Sequence, residues 1–382
     1  MSDLERILEL WRELDSAGAD FVLTTVVGVE GPSYRKPGAL MLITADGRRA
    51  GTVSGGCLEA EVASRAWWLT KAGPTIERYS TADDDGDRPY GSGCGGAVIL
   101  LLERGGTARV LLAALDSAFR SRTSLAVATI VEGPRMGVRA VGRGESGEAE
   151  RQSLCMLAEL AFNREHSTES LVDVDGVLTR AWCDFRPART GLWVFGAGDD
   201  AQPLVRLAKE LGWYVVVADG RSHLATRERF PLAEETRVLP IKDVTGEPAQ
   251  LLGAIHPHDV AVVMSHSFEQ DSRVLAALLA GQVPVSYLGV LGPQRRTREL
   301  LAEAAAVARI AQERIPEQVE EWLARLHAPT GLDLGAEAPE TIALSVLAEI
   351  QKVLTRATAL PLREVRAAHA HPEATPTAAS TL

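Results

Sequence analysis

The fold of the C-terminal half is decided by ten residues, LWVFGAGDDA, at positions 192–201. A short apolar strand ends at Phe195, and a turn containing Gly196 and Gly198 follows it. A helical pattern and a second apolar strand then lead to Asp219. This order of strand, glycine-rich turn, helix, strand and acid is typical of the Rossmann unit that binds dinucleotides. We therefore predict a Rossmann-like domain with a parallel sheet.

The sequence leaves two alternatives for whether this turn binds a nucleotide. In a Rossmann site the turn approaches a pyrophosphate and the acid binds a ribose, which makes Gly196, Gly198 and Asp219 candidates for binding NAD(P). However, Asp199 and Asp200 place negative charge at the start of the helix, where they would repel a pyrophosphate. A Rossmann fold without a nucleotide is therefore the alternative.

The α/β alternation continues beyond this unit. A strand is predicted over 259–264, and His266 follows it at the edge where such sheets place ligand-contacting residues. Arg295, Arg296 and Arg298, at a predicted helix start, fit either an anion contact or ordinary surface charge. Further elements are predicted at residues 269–279, 283–291 and 340–354.

The N-terminal half contains two cysteines enclosed by glycines. Cys57 precedes a predicted helix over 58–69, and Cys94 lies in a second glycine turn. Glycine permits a close approach to the backbone, and a helix N-terminus favours an anion or a thiolate. A binding site is therefore predicted, against the alternative of small buried cysteines in tight turns. Its candidate residues are Gly55, Gly56, Cys57, Cys94 and Gly95.

The segment EGPSYRKPG at 30–38 is predicted to be a loop because glycine and proline punctuate it. Ser33, Tyr34, Arg35 and Lys36 concentrate hydrogen-bond donors there, although an ordinary solvated turn has the same appearance. Around these loops, periodicity predicts helices at 3–16, 58–69, 110–119 and 153–162, and strands at 21–29, 39–44, 49–53, 75–80, 97–103 and 124–131.

The predicted fold class is α/β, with an N-terminal mixed α/β domain and a C-terminal Rossmann-like parallel-sheet domain. The boundaries are placed at 1–180 and 181–360. Residues 361–382 are predicted to form a disordered tail, because their last part is rich in alanine, threonine, proline and histidine.

Composition excludes several classes of protein. The chain is 46% hydrophobic and 24% charged, as in soluble globular proteins, and no apolar stretch approaches the ~20 residues that span a bilayer. A net charge of −11 disfavours nucleic acid. Four scattered cysteines argue against a disulfide scaffold and favour the cytoplasm, with Cys155 and Cys183 structural. The acidic run 83–87 lacks the spacing of a calcium loop.

A set of stretches in chain order carries a family resemblance. They are EGPSYRKPG at 30–38, SGGCLE at 54–59, GCGG at 93–96, FGAG at 195–198, MSH at 264–266, GVLG at 289–292 with Arg295 and Arg296, and APTGLDLG at 328–335. As an ordered set covering nearly the whole chain, they resemble the XdhC/CoxI family of accessory factors for xanthine dehydrogenase and related molybdenum hydroxylases.

The resemblance implies a function. Family members bind the molybdenum cofactor while a cysteine desulfurase replaces an oxo ligand with sulfur, and they deliver it to the large subunit of the hydroxylase. They are chaperones rather than turnover enzymes, and often homodimers. We hypothesise that Cys57 contacts the molybdenum centre or relays sulfur, with Cys94 as a second candidate, since a thiolate at a helix N-terminus suits a soft metal. The loop with Ser33, Tyr34 and Arg35 would bind the pterin or its phosphate.

Two other functions stay open from the residues. One is an NAD(P)-binding oxidoreductase or nucleotide sensor using Gly196, Gly198, Asp219 and His266. The other is a redox sensor in which Cys57 and Cys94 form a reversible disulfide, which requires their Cα atoms to lie within ~7 Å.

Overall fold

The computed structural model describes residues 2–56, 58–80, 96–142, 152–174, 176–239 and 255–368. The chain divides into two compact units, Met1–Thr190 with Lys209–Tyr214, and Gly191–Ala208 with Val215–Leu382. The boundary predicted at residue 181 thus falls within a strand of the first unit. None of the helices in the described ranges combines the length and the apolar character needed to cross a bilayer.

The N-terminal unit is built on two antiparallel sheets. Its described helices are α1 (Asp3–Ser16), α2 (Glu59–Leu69), α3 (Gly105–Ser121) and α4 (Gln152–Arg164). Its strands are β1 (Phe21–Glu30), β2 (Leu40–Thr44), β3 (Arg49–Gly51), β4 (Thr75–Ser80), β5 (Ala97–Arg104), β6 (Leu125–Ile130), β7 (Arg139–Val141), β8 (Thr168–Val174) and β9 (Val177–Arg186).

The first sheet, in the order β3-β2-β1-β5-β4, is covered on both faces. Successive residues of a strand point to opposite faces, so Phe21 and Leu23 pack with α1 and α3 while Val22 and Val26 pack with α2. This double burial explains why β1 and β2 consist almost entirely of apolar residues. The loop between β1 and β2 and the turn between β3 and α2 are thus both anchored to this sheet.

The second sheet, in the order β7-β6-β9-β8, packs its inner face on α4. A fully buried ion pair joins β5 of the first sheet to β7 of the second, with Arg139 Nη1 donating to Glu103 Oε1 at 2.9 Å. The same nitrogen donates to the carbonyl oxygens of Thr107 and Gly137, each at 3.0 Å. The ion pair therefore links the two sheets of this unit.

The C-terminal unit contains a five-stranded sheet in the order β12-β11-β10-β13-β14, and its β10–β13, β11–β12 and β13–β14 pairs are parallel. Numbered from β10 this is the order 3-2-1-4-5 of a Rossmann fold. The elements from residue 191 onward are β10 (Gly191–Phe195), α5 (Ala201–Glu210), β11 (Tyr214–Asp219), β12 (Glu235–Val238), β13 (Val260–Val263), α6 (Phe268–Ala280), β14 (Tyr287–Val290), α7 (Gln294–Val307), a 3-10 turn (Gln312–Arg314), α8 (Ile315–Leu323), α9 (Pro339–Thr355) and α10 (Leu362–Ala368).

The predicted fold class is confirmed in both halves, since an α/β unit with antiparallel sheets precedes a Rossmann-like parallel sheet. Among the described helices and strands, four were not predicted: β7, β12, α8 and α10. β7 lies in a glycine-rich stretch, and β12 has only four residues, three of them half-buried and the last exposed. Helix α10 occupies the start of the predicted tail, and residues 369–382 lie outside the described ranges.

Candidate functional site

The loop between β1 and β2 and the turn before α2 meet at Tyr34 and Gly55. A Cβ atom at Gly55 would lie 3.6 Å from both Cγ and Cδ1 of the Tyr34 ring and 3.9 Å from its Cδ2. The Tyr34 residue is 76% exposed. Gly56 follows with φ +113°, and none of the described residues beyond its chain neighbours lies within 4 Å of where its Cβ would be. The two loops therefore form one surface that is open to solvent.

Arg35 fastens this loop to the rest of the unit. Its guanidinium donates to the Asp3 carboxylate at the start of α1 and to the Thr52 hydroxyl beyond β3. The Ser33 hydroxyl donates to the Arg35 carbonyl oxygen at 2.9 Å. Burial raises the pKa of Asp3, but hydrogen bonds and charge from Arg6 and Arg35 outweigh it, so the pKa lies below its ordinary value. Arg35 is thus an internal anchor of the loop.

Glu59 organises the turn around residue 57 from inside. Its Oε1 accepts hydrogen bonds from the backbone N–H of Val53 at 3.1 Å and of Ser54 at 2.8 Å, while Oε2 accepts from the Ser54 hydroxyl at 2.7 Å. Ser54 Oγ in turn accepts from the N–H groups of Gly56 and Leu58. These N–H groups at the start of α2 are therefore already hydrogen-bonded within the protein.

The protonation state of Glu59 follows from these contacts. Burial raises its pKa, but the hydrogen bonds from Ser54 and from backbone N–H groups outweigh this and leave the pKa below its ordinary value. The carboxylate is therefore ionised at neutral pH, and as an anion it accepts the hydrogen bonds from Val53 and Ser54. The spacing of Ser54 and Glu59 is visible in the sequence, but sequence reasoning missed this role.

The third glycine stretch approaches the same loop. A Cβ at Gly96 would collide with the carbonyl oxygen of Pro32 and lie 2.8 Å from that of Glu30, so only glycine allows this backbone contact. Glu30 also pairs with Ala97 of β5. The segments at 30–38, 54–59 and 96 therefore converge, as a shared site requires.

Several predicted site residues lie outside the described residues, namely Cys57, Cys94 and Gly95. Their contacts with molybdenum, or with each other as a disulfide, stay predictions. The acidic run 83–87 lies outside them too. Cys155 is half-buried and Cys183 is buried in the core between α4 and the second sheet, in agreement with a structural role.

The predicted Rossmann turn lies at the carboxyl edge of the parallel sheet. Gly196 has φ +138°, and a Cβ there would lie 2.7 Å from the carbonyl group of Met264 and 2.9 Å from Ser265 Cα. Only glycine therefore allows the end of β10 to pass so close to the end of β13. The FGAG and MSH stretches thus meet at the point where the strand order reverses.

Asp219 is directed into the protein rather than towards a ribose position. The residue is fully buried, and its carboxylate accepts from the backbone N–H of Ala197 at 2.8 Å and from the N–H of Arg221 at 2.8 Å. The Arg221 guanidinium adds two contacts, at 3.0 and 2.8 Å. Burial raises the pKa of Asp219, but these hydrogen bonds outweigh it, and the pKa lies below its ordinary value.

His266 contacts the glycine turn. Its φ is +58°, a left-handed conformation uncommon outside glycine, and its Nε2 lies 3.1 Å from Asp200 Oδ2. Gly198 leaves room for the same carboxylate, because a Cβ there would collide with Asp200 Oδ1. Asp200 therefore sits directly before α5 with its charge beside the turn, and this negative charge does not suit a pyrophosphate.

The three arginines near the start of α7 all form ion pairs with carboxylates. Arg296 donates to the buried Asp271 at 2.7 Å, Arg295 to Glu299 at 3.1 Å, and Arg298 pairs with Glu320. Asp271 also accepts from the N–H of Ser265 at 3.2 Å. These pairs favour the surface-charge interpretation for Arg295 and Arg298. They also make Arg296 part of the sheet-edge network.

The stretch at 328–335 is held along β14 by a polar cluster that sequence reasoning missed. Glu349 accepts from the Tyr287 hydroxyl at 2.6 Å and from the Gly331 N–H at 2.7 Å, and it contacts His327 Nδ1 at 3.2 Å. The rings of Tyr287 and His327 stack at 4.3 Å. This cluster orders the segment beside β14.

Comparisons with known proteins agree with this arrangement. A family model described as "XdhC Rossmann domain" matches residues 192–350, and one described as "XdhC and CoxI family" matches residues 14–80. A probable xanthine dehydrogenase subunit from Bacillus subtilis is 31% identical over 336 residues, which are 86% of this chain and 92% of that protein.

Two further proteins are similar over nearly the whole chain. The molybdenum cofactor insertion chaperone PaoD from Escherichia coli is 26% identical, covering 92% of this chain and 89% of its own. A crystal structure described as a xanthine dehydrogenase from Bacillus halodurans has a TM-score of 0.67 and 28% identity, covering 96% of this chain and all of that one. The chain belongs to the XdhC and CoxI family.

Proposed function

We propose that this chain is an accessory chaperone that binds the molybdenum cofactor, holds it during sulfuration and delivers it to a molybdenum hydroxylase. The observation that carries the proposal is the convergence of three glycine-containing family stretches at the loop 30–38, where the exposed Tyr34 packs against Gly55 and the buried Gly96 contacts Pro32. The relative named as a molybdenum cofactor insertion chaperone supports the same role.

The residues present suit this cargo. The cofactor combines a flat pterin, a phosphate and a metal bound by sulfur. An exposed aromatic ring at Tyr34, an exposed Lys36 and an open glycine backbone at Gly56 match the first two parts. Cys57 and Cys94 would supply soft sulfur for the metal or for sulfur relay. Gly95 would allow the second loop to approach.

In this scheme the chain itself binds the cofactor and later releases it to the hydroxylase. Glu59 and Ser54 hold the residues on either side of position 57 by hydrogen bonds, and Arg35 holds the facing loop in place. A cysteine desulfurase would supply the sulfur, and the large subunit of the hydroxylase would take the cargo. We expect no turnover chemistry from the chain alone, and a homodimer stays a prediction.

Transfer to a client tests the proposal. The chain is loaded anaerobically with cofactor released from a molybdenum hydroxylase, repurified, and mixed with apo-hydroxylase. We expect activation by the wild type and by Cys155→Ser, a control in the half-buried cysteine of α4, but strongly reduced activation by Cys57→Ser. Equal activation by the wild type and the two variants would refute the role of Cys57 in the site. Failure of the wild type to activate the apo-hydroxylase would refute the chaperone role.

The alternative function is nucleotide binding, for oxidoreduction or for sensing, at Gly196, Gly198, Asp219 and His266. The Rossmann strand order favours it. The contacts at the turn do not, because Asp219 bonds Ala197 and Arg221, and Asp200 places its charge beside the turn. The C-terminal unit is therefore better explained as a Rossmann fold in a supporting role.

A further inference from the structure

We propose that the exposed ring of Tyr34 is the surface on which the pterin ring stacks, and that Arg35 is a positioning residue for Tyr34. This inference rests on the proposed function, because it assigns roles within the same site. It divides the loop between a residue that touches the cargo and one that holds the first in place.

The geometry of the ring supports the first role. The position of a Gly55 Cβ is nearly equidistant from Cγ, Cδ1 and Cδ2 of Tyr34, at 3.6, 3.6 and 3.9 Å. The glycine therefore lies over the face of the ring and not at its edge. With 76% of the residue exposed, the opposite face is open to solvent. A flat ligand can stack on that face without displacing any part of the loop.

The anchoring of the loop supports the second role. An exposed aromatic side chain on a free loop would lose entropy when it orders against a ligand. Here Arg35 joins Asp3 of α1 to Thr52, which lies just before the glycine turn, and Ser33 bonds the Arg35 carbonyl. Both sides of the Tyr34–Gly55 contact are thus tied to one guanidinium. The ring is held ready before the ligand arrives.

The chemistry of the ligand completes the inference. A pterin is a flat, polar heteroaromatic ring system, similar in shape to a nucleic-acid base, and such rings bind aromatic side chains by stacking. Lys36 is exposed two residues further on and offers a cation for the phosphate. Arg35, by contrast, already has its guanidinium hydrogen-bonded to an acid and a hydroxyl.

A binding titration tests the stacking role on the full chain. Two probes are used: the metal-free pterin-6-carboxylate, whose fluorescence reports stacking, and cofactor released anaerobically from a molybdenum hydroxylase, whose binding is followed by the molybdenum retained with the protein. We expect Tyr34→Leu to raise the Kd about 10- to 100-fold and to abolish the quenching, as loss of an aromatic stacking partner does for a base. Tyr34→Phe is expected to bind within about threefold of the wild type, because it keeps the ring.

Trp68 provides the matched control. It is also an exposed aromatic residue, at 71%, but it lies on α2, outside the loops that form the site. We expect Trp68→Leu to bind like the wild type. Wild-type binding by Tyr34→Leu, or loss of binding in Tyr34→Phe equal to that in Tyr34→Leu, would overturn the stacking role while leaving the chaperone role intact. A wild type that binds no cofactor would overturn both.

A double-mutant cycle tests the positioning role of Arg35. If Arg35 acts through Tyr34, Arg35→Gln weakens binding in the wild type but adds little in the Tyr34→Leu background. Asp3→Asn, which removes the charge that holds the guanidinium, is expected to give the same pattern. Additive losses in the cycle would instead assign Arg35 a contact with the cargo and overturn the positioning role.

Discussion

Replacing Glu59 by glutamine tests the organisation of the turn at residue 57. The carboxylate accepts two backbone N–H groups and one hydroxyl, at 2.7 to 3.1 Å, and Ser54 Oγ already accepts from two further N–H groups. An amide keeps an acceptor for the two N–H groups, but its NH2 group cannot accept the Ser54 proton. Hydrogen bonds to charged groups contribute about 1.5–3 kcal/mol each. We therefore expect the free energy of local opening of the turn to fall by about 1.5–3 kcal/mol.

Hydrogen exchange is the matching assay, because it reports local opening. We expect the amides of Val53 and Ser54 to exchange about 10- to 100-fold faster in Glu59→Gln, since each factor of ten corresponds to about 1.4 kcal/mol. Glu61→Gln on the same helix is the control, because within the described part of the chain the Glu61 carboxylate forms a long ion pair with Arg65, at 3.7 Å, and no contact with Val53 or Ser54. Equal protection in the wild type and in Glu59→Gln would refute the assigned role.

The pH dependence has a defined sign. The pKa of Glu59 is lower in the folded chain than in the unfolded chain, so its contribution is fully present above the unfolded value of about 4.3. It is lost as the pH falls through the folded pKa. We therefore expect the protection of the turn to fall below about pH 4 in the wild type, whereas Glu59→Gln lacks this component.

Three further predictions concern other parts of the chain. Glu103→Gln leaves Arg139 buried without its counter-charge and should lower the free energy of unfolding, measured in urea, by about 3–5 kcal/mol. Glu30→Gln, at the exposed pair with Arg78, should cost much less, and equal losses in the two variants would contradict this. Burial, together with Asp184, raises the pKa of the Cys183 thiol to about 12, so mass spectrometry should find it unalkylated in the native chain at pH 8; rapid native labelling would show that it is accessible. Titration with NADH and NADPH should give no saturable signal, since Asp219 and Asp200 already fill the turn with protein contacts, and saturable binding would restore the nucleotide alternative.

Periodicity in the sequence predicted the regular elements that have one clearly apolar face. Helix α1 is an example, since Ile7, Leu8, Trp11 and Leu14 are all buried as their spacing indicates. The Rossmann order likewise followed from the glycine turn and Asp219, because a tight turn needs glycine at particular neighbouring positions and this need is visible in the sequence. Strand β12 was missed, since a strand of four partly exposed residues carries little pattern.

The roles of charged residues could not be predicted in the same way. Arg35 appeared as a free donor in its loop, yet its partner Asp3 lies 32 residues earlier. Asp219 had the sequence position of a ribose-binding acid, but the guanidinium of Arg221, two residues later, donates hydrogen bonds to both of its carboxylate oxygens. Arg296 pairs with Asp271 across 25 residues. Which acid meets which base depends on the tertiary fold, so sequence spacing alone left these assignments open.

The most direct test of the chaperone role is the amount of cofactor that the chain retains. The full chain is incubated anaerobically with released molybdenum cofactor and passed over gel filtration, and molybdenum and pterin are measured in the protein peak. We predict that both co-elute with the wild type in equal amounts, and that Cys57→Ser loses the molybdenum while Cys155→Ser keeps it. A wild-type peak with no more molybdenum than buffer alone would contradict the role.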